Sequence, residues 1–496
     1  MDKKRNIVVV VCDSLRASFL PMYGGDAIKT PEMDALAQAG RVFTNAITAS
    51  TVCVPARSSM FTGRFVSDHD CWTNWIPCRP GIEYYPAILR DAGYDTAAFG
   101  VIDTTAAPGE DRTLGFTHIE EFDDRASDYA YLRYLKSRHP EATRPYMGHG
   151  TTWAYEEEDF YDYWITDRAC RYLDEFKKRG ETKPFFAYVS LQSPHAPHLV
   201  PKEAKGSVDE SRVPPILQRK EPMPMNPRFR SHFFDEGLSD EWCQNDRIGF
   251  LEQVVEIDRL IGKLRKKLED IGEWENTTVL LLADHGCTNH DFHLYSKGPY
   301  PYRDQLFIPF VVSNDPRVPA GTRSDALVGN LDLGATLLEI AGIDRPFGFS
   351  RSLLSIEKNE RKVNFSEFND AVKTVVDKRF TFSYYPFVGE IELYDRQNDP
   401  ENQHNLAADP AYAGKITEMM GHIIGFSALA KGVRFEAWDL FPARQEGLLA
   451  KDPNALETLE IAYPLPDSCG KSLEAAGLPS HYTDFARDRK ILFGKF

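Results

Sequence analysis

Two stretches of this chain are apolar at nearly every position and stop at an aspartate. Residues 7–11 read Ile-Val-Val-Val-Val before Cys12 and Asp13, and residues 279–283 read Val-Leu-Leu-Leu-Ala before Asp284. A strand that is apolar on both faces must be covered on both faces, which places it in the middle of a parallel sheet between helices. Open sheets of this kind gather their ligands beyond the carboxyl ends of the strands. Asp13 and Asp284, far apart in sequence, are thereby expected at one edge of one sheet, where paired carboxylates hold a hard cation. Tyr94–Gly100 and Pro184–Leu191 read as further strands, while 156–176 and 248–271 carry helical spacing. The fold class is α/β.

A second constraint is the run Cys53-Val54-Pro55-Ala56-Arg57, continuing to Thr62-Gly63-Arg64. Proline belongs in the first turn of a helix, and Gly63 stands where a short helix would end. Cys53 then sits at a helix N-terminus, where free N–H groups and the dipole favour an anion. Arg57, one turn later, projects near the same face and can offer its fork to a tetrahedral oxyanion. Farther on, Ser193-Pro194-His195-Ala196-Pro197-His198 follows a core strand, which marks His195 and His198 as candidates for substrate contact.

C-x-P-x-R with its T-G-R ending resembles the signature of the type I sulfatases, within the alkaline phosphatase superfamily. The resemblance extends through the strand ending at Asp13, Thr30-Pro31-Glu32-Met33-Asp34-Ala35-Leu36, read as a capped helix, and Asp284-His285-Gly286. It ends with Leu393-Tyr394-Asp395, Asn398-Asp399-Pro400-Glu401 and Asn405-Leu406, and so covers roughly residues 6–425. It implies an alkaline-phosphatase-like sandwich with a large, mostly parallel sheet, and a smaller C-terminal antiparallel subdomain. The expected division is 1–363 for the catalytic domain and 364–496 for the subdomain and an extended tail. In that family the cysteine is oxidised by a formylglycine-generating enzyme, and the hydrated aldehyde of formylglycine is the nucleophile. The resemblance implies that Asp13, Asp284, His285 and modified Cys53 hold a divalent metal, Ca²⁺ first, with Mn²⁺ or Mg²⁺ as alternatives. Arg57 and Lys297 would neutralise the substrate's oxygens, and His195 would assist the leaving group.

Two departures stand out. Most sulfatases carry a second Asp directly after the first, where this chain has Ser14. Many also carry a G-K-W-H sequence whose Lys and His reach the substrate, where this chain has Gly100, Val101, Ile102 and Asp103. Phosphonate monoester hydrolases, close relatives using the same formylglycine, lack that basic pair and carry an Asn at the spacing of Asn74. The first expectation is hydrolysis of a small aryl or carbohydrate sulfate ester, and the second is phosphonate monoester or phosphodiester hydrolysis. A degenerate binding protein fits poorly with retention of Asp13, Cys53, Arg57, Asp284, His285 and Lys297 together.

The 496 residues exceed one simple core. A net charge of −16 argues against a nucleic-acid partner but leaves room for a locally basic pocket. The apolar run after Met1-Asp2-Lys3-Lys4-Arg5 is too short for a signal peptide, and no stretch reaches membrane-spanning length. With eight scattered cysteines in no disulfide or zinc spacing, a cytoplasmic location is expected. The Pro- and Arg-rich segment 205–230 reads as a pocket rim or an oligomer contact. The last seventy residues match no motif, and a tail reaching a second subunit is the expectation there.

Overall fold

The computed structural model describes residues 4–430, apart from 104–105, 107–108, 124–128, 150, 181–182, 225–237, 295, 359 and 370. Eight strands build the large sheet: β1 (Asn6–Cys12), β2 (Gly40–Ile47), β3 (Asp95–Gly100), β4 (His118–Glu121), β5 (Phe185–Leu191), β6 (Thr277–Ala283), β7 (Phe310–Ser313) and β8 (Thr322–Gly329). Their order is β8-β2-β7-β6-β1-β5-β3-β4. All neighbours are parallel except β7, which runs antiparallel to β2 and β6. Every residue of β1, β5 and β6 is buried, including the polar Asn6, Ser190, Thr277 and Thr278, as the apolar runs within them require. At roughly 1.5–3 kcal/mol for each large aliphatic side chain removed from water, these three strands anchor the core.

The register does the decisive work for the site. Cys12 pairs with Ala283 on one side and Leu191 on the other. The residues immediately past these positions, Asp13, Asp284 and Gln192, therefore leave the sheet side by side. The expectation that two distant aspartates share one edge is met.

The helices named here are α1 (Pro31–Gln38), α2 (Cys53–Thr62), α3 (Tyr161–Arg179), α4 (Asp240–Asp270) and α5 (Leu333–Ile340). Three details differ from the sequence reading. Helix α1 has Pro31 at its first position, but the Thr30 side chain makes no cap; the Asp258 carboxylate of α4 instead accepts the Met33 N–H at 2.8 Å. Helix α4 begins well before residue 248, because Ser239 caps it by accepting the Trp242 N–H at 3.1 Å and most of its first two turns, Trp242 and Cys243 apart, is polar. Residues 157–159 form a separate 3₁₀ turn ahead of α3.

A four-stranded antiparallel meander follows, β9 (Asn364–Phe368), β10 (Val372–Val376), β11 (Phe380–Tyr385) and β12 (Glu390–Asp395). Met419 and Ile423 of α6 (Ala413–Ala430) pack against Val375, Phe382 and Leu393 of this sheet. The large parallel sheet with a smaller antiparallel one is the architecture the sequence implied. In the rim segment, Pro214 and Pro215 offer carbonyls to Arg247, and the Leu217 N–H donates to Asp291 at 2.8 Å. Arg219 reaches Glu392 at 3.0 Å and lies over the Tyr302 ring. The rim is thus tied to the chain that follows β6. The tail beyond residue 430, with the oligomer contact assigned to it, lies outside the described residues. Among those residues no helix is long and apolar enough to cross a membrane.

Candidate active site

Helix α2 is buried along its whole length, all ten residues included, so no amphipathic stripe could have revealed it. Its ends follow local chemistry. Pro55 lies in the first turn, and Gly63 adopts φ 64°, the left-handed conformation that closes a helix at little cost. Cys53 is its first residue and is 2% exposed. The Asn74 carboxamide oxygen accepts the Val54 N–H at 3.1 Å, satisfying one of the free donors at that end.

Around the Cys53 sulfur converge Lys297 Nζ at 2.6 Å, His285 Nε2 at 3.3 Å and Asp13 Oδ1 at 3.8 Å. Ligand atoms of Asp13, Cys53, Asp284 and His285 all lie within 4.8 Å of one another. The orientation of His285 suits a cation: its Nδ1–H donates to the Gly286 carbonyl at 2.8 Å, which leaves the Nε2 lone pair facing the cluster. Two carboxylates and one imidazole, aimed at a common point, fit a divalent metal. Ser14, where a further carboxylate was missing, plays a structural part. It adopts φ 68°, and its N–H donates to Asp284 Oδ1 at 3.0 Å while its hydroxyl donates to Asp13 Oδ1 at 2.8 Å.

Arg57 differs from its expected use. Its Nε meets Asp284 Oδ2 at 2.9 Å and its Nη2 meets Asp13 Oδ2 at 3.1 Å, while Nη1 donates to the Val101 carbonyl at 2.8 Å and Ser190 Oγ at 2.7 Å. The guanidinium is fully buried, so its fork bridges the two aspartates and does not face an open pocket. Burial alone would lower its pKa, but Asp284, Tyr188 and Asp13 raise it well above its ordinary value. Burial would likewise raise Asp13; Lys297, His195, Arg57 and His285 together hold it well below the usual carboxylate range. Lys297 is kept an ammonium by Cys53, Asp13 and Asp284 against the desolvation that would discharge it.

His195 is half-buried, between the cis bonds Ser193–Pro194 and Ala196–Pro197, and is near enough to lower the pKa of Asp13. The loop is fixed by Asp162 of α3, which accepts the N–H groups of Gln192 at 2.7 Å and Ser193 at 3.1 Å. His198 turns elsewhere: its Nδ1 pairs with Asp246 at 2.7 Å, and Asp246 also holds His290 at 2.8 Å. At the two positions where a Lys and a His were missed, Val101 contributes its carbonyl to Arg57 and Asp103 adds a charge near it.

Several supporting residues escape a motif search. Thr48 Oγ1 and Asn330 Nδ2 donate to the Asp284 carbonyl at 2.6 and 2.7 Å. Ser190 and Tyr188 reach Arg57 from β5, and their i, i+2 spacing on one strand face is the one signal that could have paired them.

Behind α2, His69 Nε2 lies 2.9 Å from Ser59 Oγ and its Nδ1 accepts the Cys71 N–H at 3.1 Å. Burial pushes its pKa down to about 3. The fold holds this imidazole neutral, whereas the unfolded chain takes up a proton near 6.5. Stability from this group is complete above pH 6.5 and is lost as the pH falls toward 3, on the order of 5 kcal/mol in all. Urea titrations across that window should show a pH slope that His69→Gln flattens; an unchanged slope would remove His69 as its source.

The description of the family model that matches residues 5–343 is Sulfatase, and an N-sulphoglucosamine sulphohydrolase C-terminal model matches residues 291–427. The chain belongs to the sulfatase family. Among its relatives, the multifunctional alkaline phosphatase superfamily protein PehA of Trinickia caryophylli is 24% identical over 486 residues, covering 84% of this chain and 93% of that one. An arylsulfatase of Clostridium perfringens is 24% identical over 460 residues, covering 83% and 92%. In structure, the phosphonate monoester hydrolase of Agrobacterium radiobacter superimposes with a TM-score of 0.75 at 22% identity, covering 86% and 96%, which shows a shared fold. The protein is a sulfuric ester hydrolase of the alkaline phosphatase superfamily.

Proposed function

We propose that this sulfatase cleaves a sulfate monoester of a small aryl or carbohydrate molecule with a nucleophile made from Cys53. The observation that carries this reading is the convergence of Lys297, His285 and Asp13 on the Cys53 sulfur at the start of α2. Formylglycine at position 53 would supply a hydrated aldehyde in place of a thiol, and a divalent ion held by Asp13, Asp284 and His285 would supply charge neutralisation. Ca²⁺ remains the first choice for this donor set, with Mn²⁺ or Mg²⁺ as alternatives.

The chain's own groups divide the remaining work. Lys297 places a positive charge against the nucleophile position and the adjoining substrate oxygens. Arg57 holds the two carboxylates at fixed separation, so they need not reorganise when negative charge arrives. Asn74 fixes the helix end on which the nucleophile stands. His195 is the group positioned to give a proton to the leaving oxygen. Such a protein depends on a formylglycine-generating enzyme, and we place both in the cytoplasm.

A second reading, phosphonate monoester or phosphodiester hydrolysis, is favoured by the absence of basic side chains at Val101 and Asp103 and by Asn74 at the helix end. A rate comparison separates them: protein co-produced with a formylglycine-generating enzyme, assayed on an aryl sulfate and an aryl phosphonate monoester, with Cys53→Ala as blank. Faster sulfate turnover is expected. Faster phosphonate turnover would overturn the first reading in favour of the second.

A further inference from the structure

Outside the catalytic constellation, His69, Cys71 and Cys78 form a second buried cluster whose ligand atoms all lie within 4.8 Å of one another. It stands at the neck of a loop. The Arg79 N–H donates to the His69 carbonyl at 2.9 Å, so the two chain segments meet there, and Cys71 and Cys78 face each other just inside that meeting point. At the far end of the same loop, Asn74 caps the Val54 N–H at the start of α2. Residues between them carry a single turn, from the Ile76 N–H to the Thr73 carbonyl at 3.3 Å, and the tip residue Trp75 is 40% exposed.

The hydrogen bonds of His69 decide between a metal and a dithiol. A neutral imidazole has one N–H and one lone pair. Nδ1 accepts the Cys71 N–H, so its lone pair is occupied, and the Nε2–H faces Ser59 Oγ. No nitrogen lone pair is left for a cation, and the two sulfurs lie within 4.8 Å of each other. Their protons are unevenly held: a hydrogen bond from Cys71 lowers the pKa of Cys78, whereas burial raises that of Cys71. The Cys71 thiol also donates to the Thr73 carbonyl at 3.7 Å, one residue from Asn74, and with the sulfurs this close either can attack while the other resolves.

We propose that Cys71 and Cys78 are a reversible disulfide pair whose closure controls the placement of Asn74 at the start of the nucleophile-bearing helix; the role of Asn74 rests on the function proposed above. Local opening of the loop admits a small disulfide such as oxidised glutathione. The Cys78 thiolate attacks one of its sulfurs and expels one glutathione thiolate. Cys71, after releasing its proton to solvent, attacks the Cys78 sulfur of the mixed disulfide and expels the second. One S–S bond breaks and one forms; the pair loses two electrons and two protons, and two glutathione thiols result. Closure draws the sulfurs to about 2 Å, which shifts the loop on the scale of 1 Å at a site where such a shift is costly.

The test equilibrates the matured protein in glutathione buffers from fully reducing to fully oxidising. Mass analysis of the peptide spanning Cys71 and Cys78 is expected to show one reversible two-electron transition. Oxidation is expected to lower kcat/KM on an aryl sulfate about tenfold, with recovery in dithiothreitol and no response in C71S/C78S. In a Cys53→Ala background, which needs no turnover, oxidation should raise the thermal midpoint, and the added double substitution should abolish that rise. Thiols that stay reduced in the most oxidising buffer, or a metal retained by the pair on elemental analysis, would overturn the proposal. So would a disulfide that forms without moving kcat/KM. Absence of all turnover with a normal transition in mass and midpoint would instead count against the function reading.

Discussion

Cys53→Ala is expected to abolish sulfate ester turnover, by about 10⁴-fold or more, while leaving the fold standing. The substitution deletes one heavy atom from a side chain that is 2% exposed, so the packing loss is on the order of 1 kcal/mol. Helix α2 is held by other means: the Ala56 N–H to the Val52 carbonyl, the Asn74 cap and the Gly63 end. The loss therefore belongs to chemistry and not to unfolding. Single-turnover rates on an aryl sulfate, read beside the thermal midpoint, check this. Residual turnover above a few per cent of the parent in a variant with an unchanged midpoint would remove Cys53 as the source of the nucleophile.

Arg57→Met is expected to cost about 3–5 kcal/mol of stability in EDTA. Methionine replaces much of the arginine's apolar stem but leaves Asp13 and Asp284, both buried, facing each other without the guanidinium that bridges them. An uncompensated buried charge is far more costly than a missing surface ion pair. If those carboxylates bind a divalent ion, the ion substitutes in part for the lost charge. Mn²⁺ should then raise the thermal midpoint of the variant by more than it raises that of the parent. Urea unfolding in EDTA and in Mn²⁺ measures both effects. Equal unfolding free energies of variant and parent in EDTA would show that the bridge contributes nothing to folding.

The sheet and the aspartates at its edge were readable because their signals are local. Unbroken apolar runs at 7–11 and 279–283 admit few placements, and the aspartates follow them directly. Cys53, Lys297 and His285 were readable through a motif and its spacing, and their side chains do converge. The use of Arg57 was not readable. Its partners, Asp13, Asp284, Ser190 and the Val101 carbonyl, come from four places in the chain, and only the folded register joins them. The same holds for the Asp258 cap on α1 and for Asp162 beneath the His195 loop. In each case the hydrogen-bond acceptor comes from a helix distant in sequence, where no short-range pattern can announce it. His198 shows the converse: a sequence context shared with His195 leads to a different partner, because Asp246 of α4 reaches it first.

The strand order also sets a timetable. β1 becomes the middle of the sheet only when β6 docks beside it, and the bond from Ser14 to Asp284 spans 270 residues of chain. Until the ribosome has delivered residue 284, Asp13 lacks its partner, Arg57 lacks its bridge, and Cys53 has neither Lys297 nor His285 against it. After docking, the thiol is sealed under 2% exposure. The maturation enzyme proposed above would therefore work against a clock. Its opportunity opens with the first sixty residues and closes with the arrival of β6, and contacts of such long sequence separation are slow to form. On the proposed function, rapid folding of the finished chain and complete modification of Cys53 are, for this topology, competing requirements.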